Sequence, residues 1–321
     1  METIVGKDIN EALAFLEAGE VVAIPTETVY GLGANGLNES AIIKIFEAKG
    51  RPLSNPLILH FSSQSAILPY VTDFPPSLNK LALAFWPGPL TLLLNKTDLV
   101  PPLITAGLDR VAVRVPAHPL LQKLLKKSSF PLAAPSANLY GMISPTQSKH
   151  VYQQLKNKIP YILDGGECEN GIESTIVGLE DEQVVVYRLG SISIEKLAAI
   201  LRYTPTIKNH SENQPLTSGM VKHHYAPKTP IAYLKNDFVF QSDSNSGFIL
   251  LKDNRPEIPT SQKFILSESG NLEEAAKNLY GAMHQMDDQN FDQLYVEKLE
   301  EIGLGLSIND RLNRATKKFE D

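Results

Sequence analysis

The stretch VVAIPTETVYGLGANG, residues 21–36, decides the fold class of this chain. Its first four residues are apolar and predict a short buried strand that ends at Pro25. The glycine-rich segment that follows predicts a loop whose backbone closely approaches another group, which is itself a hint of a binding site. A helical pattern then runs over residues 39–48, with Ile42 and Phe46 on its apolar face. This succession indicates an α/β or α+β domain.

The same alternation continues on both sides of this stretch. Asp8 can cap a helix that extends to about residue 17, and Ser193 can cap another that extends to residue 201. Apolar runs between them predict further strands at 57–61, 90–94, 111–115, 131–134, 161–163, 174–177 and 184–187. Many strands separated by helices predict a twisted mixed sheet flanked by helices.

The periodic pattern stops after residue 201. Residues 204–230 contain three prolines before Pro230 and little apolar periodicity, which is typical of a linker. Strands then recur at 231–234, 247–251, 263–266 and 293–296, with helices at 272–286 and 308–319. We therefore predict a first domain over 1–205, a linker that also serves as a lid over 206–230, and a small α/β domain over 231–321.

Composition excludes several classes of protein. The chain has 321 residues, of which 43% are hydrophobic and 21% charged, so it is neither disordered nor fibrous. It has no run of 18 apolar residues and no signal-peptide pattern at its start, so we expect a cytoplasmic protein that does not contact a membrane. A single cysteine, Cys168, cannot form an internal disulfide.

Net charge is −6, which disfavours a protein that holds nucleic acid through bulk charge. Residues 1–200 carry 16 basic and 19 acidic side chains, and residues 231–321 carry 10 and 16. The segment 201–230 carries 4 basic side chains and 1 acidic one. A short basic segment thus joins two acidic domains, as suits a segment that folds over a polyphosphate.

The sequence Gly31-Leu-Gly-Ala-Asn-Gly36 matches the residue pattern of the dinucleotide-binding fingerprint GxGxxG but not its structural context. Six residues separate the strand from Gly31, and no acidic residue lies about 20 positions further on. We therefore do not expect NAD binding.

Several side chains are candidates for binding anions. Lys49 and Arg51 flank one glycine just after a helix, a pattern that suits a polyphosphate or carboxylate and equally suits a helix C-terminus. Arg114 lies inside an apolar strand and needs an anionic partner, which is either a structural carboxylate or that of a substrate. We find neither a nucleophile motif nor metal-ligand spacing, so any metal is expected to arrive with a substrate phosphate.

Five motifs taken together resemble one family, the YrdC-like threonylcarbamoyladenylate synthases. They are PTETVYGLG at 25–33, KGR with NPL at 49–57, RVPAH at 114–118, SAN at 136–138 and GIESTIV at 171–177. The segment HHYAPKTP at 223–230 and the end GLGLSINDRL further resemble the long form of this family. The resemblance covers nearly the whole chain and implies a YrdC-like catalytic domain followed by a smaller, Rossmann-like α/β domain.

The resemblance also implies a reaction, in which ATP, L-threonine and bicarbonate or CO2 give L-threonylcarbamoyladenylate and pyrophosphate. Mg²⁺ would come with ATP, and a separate transferase would move the threonylcarbamoyl group onto tRNA. Joining a carbamate to the α-phosphate needs positioning and charge neutralisation rather than a protein nucleophile.

The family's functional residues map onto this sequence in two sets. By similarity, the ATP set is Lys49, Arg51, Asn55, Ser136, Asn138, Ser144, Arg188 and Tyr225, in which Lys49 and Arg51 are the catalytic cations and Asn138 supports the loop. By similarity, the threonine set is Thr28, His60, Arg114, Ala134 and Ser174, with Arg114 on the carboxylate.

Two other functions stay open at the level of sequence. A tRNA or double-stranded RNA binding module without catalysis would use a basic surface of the same fold, and a weak tRNA contact is compatible with either function. Carbamoyl transfer, as in the related domain of hydrogenase maturation proteins, is less favoured because the additional segments of those chains are absent.

Overall fold

The computed structural model describes residues 2–209, 225–235, 237–241 and 244–319. The strands of the large sheet are β1 Ile4–Gly6, β2 Val22–Ile24, β3 Gly31–Asn35, β4 Ile58–His60, β5 Leu90–Asn95, β6 Arg110–Arg114, β7 Leu132–Ala133, β8 Tyr161–Leu163, β9 Thr175–Glu180, β10 Gln183–Arg188 and β11 Thr206–Ile207. The helices of the same domain are α1 Ile9–Glu17, α2 Glu39–Lys49, α3 Pro76–Phe85, α4 Pro102–Thr105, α5 Pro119–Lys127, α6 Ser148–Leu155 and α7 Ile194–Leu201.

The strands form one mixed sheet in the order β1-β8-β2-β3-β7-β4-β6-β5-β9-β10-β11. β4 and β6 are parallel neighbours, whereas β2 and β3 are antiparallel. Helices cover both faces of the sheet. The prediction of a twisted mixed sheet flanked by helices is confirmed.

Both faces of the sheet are buried, and β2 shows why its sequence is continuously apolar. Ala23 packs into a core with α2, α3, α6 and α7, whereas Val22 and Ile24 face the opposite side, where α1 and α5 pack. Alternate side chains of a strand point to opposite faces, so a strand covered on both sides needs apolar residues at every position.

The glycine-rich loop predicted after Pro25 is wrong for residues 31–35, which form β3. β3 is hydrogen-bonded to β2 on one side and to β7 on the other, and this pairing outweighs the weak strand propensity of glycine. Just beyond it, a Cβ atom on Gly36 would lie 2.7 Å from the Leu59 side chain and 2.9 Å from the Pro131 carbonyl oxygen. The absence of a side chain at Gly36 therefore allows close packing, and the loop comprises only residues 25–30.

The second domain contains a parallel sheet in the order β12-β15-β13-β14. Its elements are β12 Ile231–Tyr233, β13 Ser246–Leu250, β14 Lys263–Ile265, α8 Leu272–Asp287, β15 Gln293–Val296 and α9 Gly305–Thr316. Asn271 caps α8 by accepting a hydrogen bond from the Glu274 backbone N–H, as an N-cap side chain does. The prediction of a second, smaller α/β domain is confirmed.

One hydrophobic core crosses the junction of the two domains. Val29, Ile143, Ile172 and Tyr225 pack together with residues of α8 and α9 in a single buried cluster. Most of the predicted linker and lid, residues 210–224, lies outside the described residues, and β11 extends the first sheet as far as Ile207. Across the described parts of the chain, we find no helix with the length and apolar character needed to cross a bilayer.

Two histidine rings stack across this junction. His150 of α6 and His284 of α8 have ring centroids 4.0 Å apart at an interplanar angle of 20°. His284 Nε2 donates to the Ser144 carbonyl oxygen at 3.2 Å, and His150 Nδ1 accepts from the Thr146 backbone N–H at 3.3 Å. Burial lowers the pKa of His150 to about 3 and that of His284 to about 4, so both rings are neutral at pH 7.

The stacked pair predicts acid sensitivity of the folded protein. In the unfolded chain both histidines take up a proton near pH 6.5, whereas the folded protein resists protonation until about pH 4 and about pH 3. Stability should therefore fall as pH drops below 6.5, by roughly 1 kcal/mol per pH unit for each histidine, down to about pH 4 for His284 and about pH 3 for His150.

The double variant His150→Phe/His284→Phe keeps two rings but cannot take up these protons. Urea unfolding of both proteins at pH 7.5, 6.0 and 4.5 should show the native protein losing stability faster than the variant. Parallel pH profiles of the two proteins would contradict this prediction.

Candidate active site

A cavity opens where several strands of the large sheet end. Its lining comes from the loop after β2, the ends of β4, β6 and β10, the segment after β7 and the loop before β9. The lining residues are Thr26, Thr28, Val29, Gly31, Ile58, His60, Arg114, Ala134, Pro135, Ser136, Glu173, Ser174, Arg188 and Tyr225. Open α/β sheets commonly bind ligands at the carboxyl ends of their strands.

Eight of the thirteen residues expected from sequence lie in this lining, and the other five lie outside it. The eight are Thr28, His60, Arg114, Ala134, Ser136, Ser174, Arg188 and Tyr225. The five are Lys49, Arg51, Asn55, Asn138 and Ser144. Two of these five contact the lining directly, since Lys49 donates to the Ser136 carbonyl oxygen and Ser144 to Glu173.

Arg114 has a structural carboxylate as its partner. Its Nη2 donates to Glu27 Oε1 at 2.6 Å, its Nη1 to Thr28 Oγ1 at 3.0 Å and its Nε to the Gly88 carbonyl oxygen at 3.3 Å. Both members of this ion pair are buried. The sequence left open whether Arg114 pairs with a structural carboxylate or with that of a substrate. In the structure it pairs with a structural carboxylate, that of Glu27.

Glu27 was missed as a candidate from sequence. It lies within the quoted PTETVYGLG motif, and the signal that could have found it is the need of a buried arginine for an anion. Its second oxygen, Oε2, is buried without a hydrogen-bond partner among the described residues.

His60 lies beside Arg114 because β4 and β6 are parallel and in register, with His60 opposite Arg114. Its Nδ1 donates to the Ile58 carbonyl oxygen at 3.2 Å. Burial, together with the positive charge of Arg114, lowers the pKa of His60 to about 3. His60 is therefore a neutral polar group of the cavity wall at pH 7.

Lys49 is the last residue of α2 and is only 2% exposed. Its ammonium group donates to the carbonyl oxygens of Ser136, at 2.6 Å, and Asn138. Burial lowers the pKa of Lys49, and so does the neighbouring charge of Arg51. Both acceptors are neutral, so an anionic ligand at this place would stabilise the buried cation.

Arg51 is also buried, at 7% exposure. It donates to the carbonyl oxygens of Asn55 and Pro56, the latter at 3.0 Å. Burial lowers its pKa to about 10. The Asn55 amide donates to the Tyr140 hydroxyl at 3.0 Å, and the Tyr140 backbone N–H donates to the Lys49 carbonyl oxygen. Backbone carbonyl groups thus hold both cations, those of residues 136 and 138 for Lys49 and those of residues 55 and 56 for Arg51.

The segment 136–144 connects these cations to the rest of the site. Asn138 is fully buried, and its amide donates to the carbonyl oxygens of Leu139 at 2.7 Å and Met142 at 2.9 Å. Ser144 Oγ donates to Glu173 Oε1 at 2.7 Å. Asn138 therefore shapes the segment, while Ser144 ties it to the cavity wall.

Arg188 and Ser174 form a second polar group in the wall. Arg188 donates from Nε to the Ser174 carbonyl oxygen at 3.0 Å and from Nη2 to Ser174 Oγ at 2.9 Å. The Ser174 hydroxyl also lies 2.7 Å from the Thr91 hydroxyl. Burial lowers the pKa of Arg188.

Tyr225 is the residue of the predicted lid segment that the structure places in the cavity wall. It is buried, with a left-handed backbone at φ +67°, and its ring centroid lies 5.7 Å from that of Tyr280. Burial, with the nearby Glu173 charge, raises the pKa of its hydroxyl to about 12. Glu173, Tyr280 and Arg311 are further residues of this region that the sequence did not single out.

Two family models match consecutive parts of the chain. The model described as "Telomere recombination" matches residues 14–190, and the model described as "Threonylcarbamoyl-AMP synthase, C-terminal domain" matches residues 192–316. Together they span both domains.

Curated relatives and a solved structure agree with these models. A threonylcarbamoyl-AMP synthase of Pyrococcus abyssi is 40% identical over 96% of this chain and 94% of its own length. One of Bacillus subtilis is 38% identical over 96% and 92%. A crystal structure described as P. abyssi Sua5 complexed with L-threonine superimposes with a TM-score of 0.88 at 35% identity, over 99% of this chain and 98% of that one.

The buried pair of Glu27 and Arg114 predicts a non-additive effect of mutation. Arg114→Met leaves the Glu27 carboxylate buried without its cation and should lower the free energy of unfolding by about 3–5 kcal/mol. In the double variant Glu27→Gln/Arg114→Met no charge remains, and most of that loss should disappear. Urea unfolding of the native protein, the two single variants Glu27→Gln and Arg114→Met and the double variant measures the coupling, and strictly additive losses would contradict it.

Proposed function

This chain belongs to the threonylcarbamoyl-AMP synthase family, and we propose from that premise how its own residues condense ATP, L-threonine and bicarbonate or CO2 into L-threonylcarbamoyladenylate and pyrophosphate. The observation that supports this proposal most is the arrangement of buried positive charges. Buried cations lie at different places around one cavity: Arg114 and Arg188 belong to its lining, whereas Lys49, with Arg51 two residues further on, contacts the lining residue Ser136 from outside it. The reaction has two anionic substrates, the phosphate chain and the amino-acid carboxylate.

We assign the phosphate chain to Lys49, Arg51 and Asn55. The lowered pKa of Lys49 supports this assignment, because the cost of burying a cation is recovered when an anion binds beside it. Ser136, Ser144 and Arg188 would line the nucleotide, Asn138 would hold their loop, and Tyr225 would cover it.

We assign threonine to the opposite part of the cavity. Thr28, His60 and Ser174 provide hydroxyl and imidazole groups, and the Ala134 backbone lies beside them. Arg114 uses three N–H groups on Glu27, Thr28 and Gly88, so the rest of its guanidinium can take the substrate carboxylate. Glu27 fixes the orientation of that guanidinium and balances its charge before substrate arrives.

In this scheme the substrates react with each other and the protein supplies position and charge. The threonine amine forms a bond to the carbon of CO2 and loses a proton, or reacts with bicarbonate with loss of water. An oxygen of the resulting carbamate attacks the α-phosphorus, and the bond to the β-phosphate oxygen breaks to release pyrophosphate. Lys49 and Arg51 would neutralise the charge that develops on the leaving group.

Mg²⁺ would enter this site with ATP. The three side chains assigned to the phosphate chain, Lys49, Arg51 and Asn55, are cationic or neutral, and no cluster of three or more His, Cys, Asp or Glu that could hold a metal occurs among the described residues. Phosphate oxygens and water are the ligands that Mg²⁺ takes in such sites. When bound, it would shield charge on the phosphate chain.

The product is a reactive mixed anhydride, so we further propose that it passes to a transferase that moves the threonylcarbamoyl group onto a tRNA adenosine beside the anticodon. We expect this to take place in the cytoplasm. A non-catalytic tRNA or double-stranded RNA binding module is the alternative. It would show strongly salt-dependent RNA binding and no release of pyrophosphate.

The phosphate assignment predicts the effect of removing the two cations. Lys49→Met/Arg51→Met should lower threonine-dependent pyrophosphate release by at least about a hundredfold, because each charge-assisted contact contributes roughly 1.5–3 kcal/mol. Pyrophosphate is followed with ATP, threonine and bicarbonate together and with each component omitted. Lys80→Met, an exposed lysine of α3, is the matched control. Unchanged release in the double variant would contradict the assignment.

The threonine assignment predicts a different response at Arg114. To avoid leaving the Glu27 carboxylate buried without its cation, the comparison uses the double variant Glu27→Gln/Arg114→Met against the native protein, with Glu27→Gln as the control for the lost carboxylate. The double variant should raise the KM for threonine by about tenfold or more and change the KM for ATP by less than about twofold, since the carboxylate loses a bidentate partner. An equal loss of ATP binding would place Arg114 in the phosphate site instead.

A further inference from the structure

The C-terminal domain contacts the cavity wall through the carboxylate of Glu173. Arg311 of α9 donates from Nε to Glu173 Oε2 at 3.1 Å, and the Tyr280 hydroxyl of α8 lies 3.1 Å from both carboxylate oxygens. Ser144 of the first domain occupies Oε1 from the other side. Arg311 is fully buried, so this is an internal contact rather than a surface ion pair.

The backbone around Glu173 is fixed by the same domain. Gly171 has φ +73°, and a Cβ atom there would lie 2.2 Å from the Lys277 carbonyl oxygen of α8. Ser307 of α9 donates to the Gly190 carbonyl oxygen at 2.9 Å, next to the segment that follows β10. The loop 171–174 is therefore packed directly against two helices of the C-terminal domain.

Glu173 would hinder the proposed reaction if it stood alone. It lies in the lining of a cavity proposed to hold a polyphosphate, where an uncompensated carboxylate repels the ligand. It also accepts the hydrogen bond of Ser144, and its neighbour Ser174 accepts two hydrogen bonds from Arg188. The cation that compensates Glu173 is Arg311, which belongs to the other domain.

We propose that Arg311 is a positioning residue for ATP: through Glu173 it neutralises and fixes the nucleotide side of the cavity, so that the C-terminal domain completes the site. The inference rests on the proposed function, in which Ser144 and Arg188 face the nucleotide. It assigns no contact between Arg311 and ATP itself.

The test compares Arg311→Met, Glu173→Gln and the double variant Glu173→Gln/Arg311→Met in the full-length protein. Arg311→Met should raise the KM for ATP by about tenfold or more and leave the KM for threonine within about twofold. The double variant should return the KM for ATP to within about threefold of the native value, because neither position 173 nor position 311 then carries a charge. Direct titration with a fluorescent ATP analogue gives the same comparison without catalysis.

Arg314→Met is the matched control. Arg314 is a buried arginine in the same helix that pairs with Asp310. Arg311 Nη1 also contacts Asp310, at 3.3 Å, so Arg314→Met measures the effect of disturbing this shared carboxylate while the cation that pairs with Glu173 stays in place. If Arg311→Met does not fold, the double variant alone decides the test, because it keeps the Tyr280 and Ser144 hydrogen bonds to residue 173. An ATP affinity near the native value then supports the proposal, and a low ATP affinity overturns it.

Three further results would overturn the proposal. The first is an unchanged KM for ATP in Arg311→Met. The second is an equal rise of the KM values for ATP and threonine in Arg311→Met that Arg314→Met also shows. The third is a KM for ATP in the double variant as high as in Arg311→Met. The last would mean that Arg311 contacts ATP directly. Failure of the native protein to release pyrophosphate with threonine would instead refute the proposed function, which keeps the two conclusions separate.

Discussion

The burial of several positive charges around one cavity is the condition on which the rest of this structure depends. Lys49, Arg51, Arg114, Arg188 and Arg311 are all buried. Arg114 and Arg188 line the cavity, Lys49 and Arg311 contact groups in its wall, and Arg51 lies two residues from Lys49. Two buried carboxylates, Glu27 and Glu173, pair with two of them. A cation taken out of water needs an anion or several hydrogen bonds, so the cavity is arranged to receive anions.

The topology of the sheet explains how these charges meet. The mixed order of the strands brings the ends of β4, β6 and β10 and the loops around β3 and β7 to one place. The parallel register of β4 and β6 puts His60 level with Arg114, and the antiparallel pair β2 and β3 holds the loop with Glu27 and Thr28 over them. Each side chain sits at an element end, where the backbone is fixed while the side chain remains free to face a ligand.

The two domains differ in what they contribute. The first provides the lining of the cavity and the cations proposed for the substrates, whereas the second holds one wall in place. The shared core of Val29, Ile172 and Tyr225 with α8 and α9 means that this wall cannot move independently of the C-terminal domain. A substitution in the second domain can therefore change the catalytic cavity without touching a ligand.

The sequence by itself determined the α/β class, the positions of most strands and helices, the family and the presence of Lys49, Arg51 and Arg114 as anion-binding candidates. These follow from local patterns, namely apolar runs, capping residues and short motifs, which need no knowledge of distant residues. The roles of the individual site residues remain predictions.

Only the tertiary structure decided that residues 31–35 form a strand. This strand depends on the pairing of β3 with β2 and β7, and the local strand propensity of a glycine-rich segment does not indicate that pairing. It likewise decided the partners of the buried charges. Glu27 and Arg114 are 87 residues apart, and Glu173 and Arg311 are 138 apart, in different domains. Such pairs form because a charge that is buried by the packing of its own element is stabilised by an opposite charge within a few ångströms, and only the assembled fold determines which residue lies there.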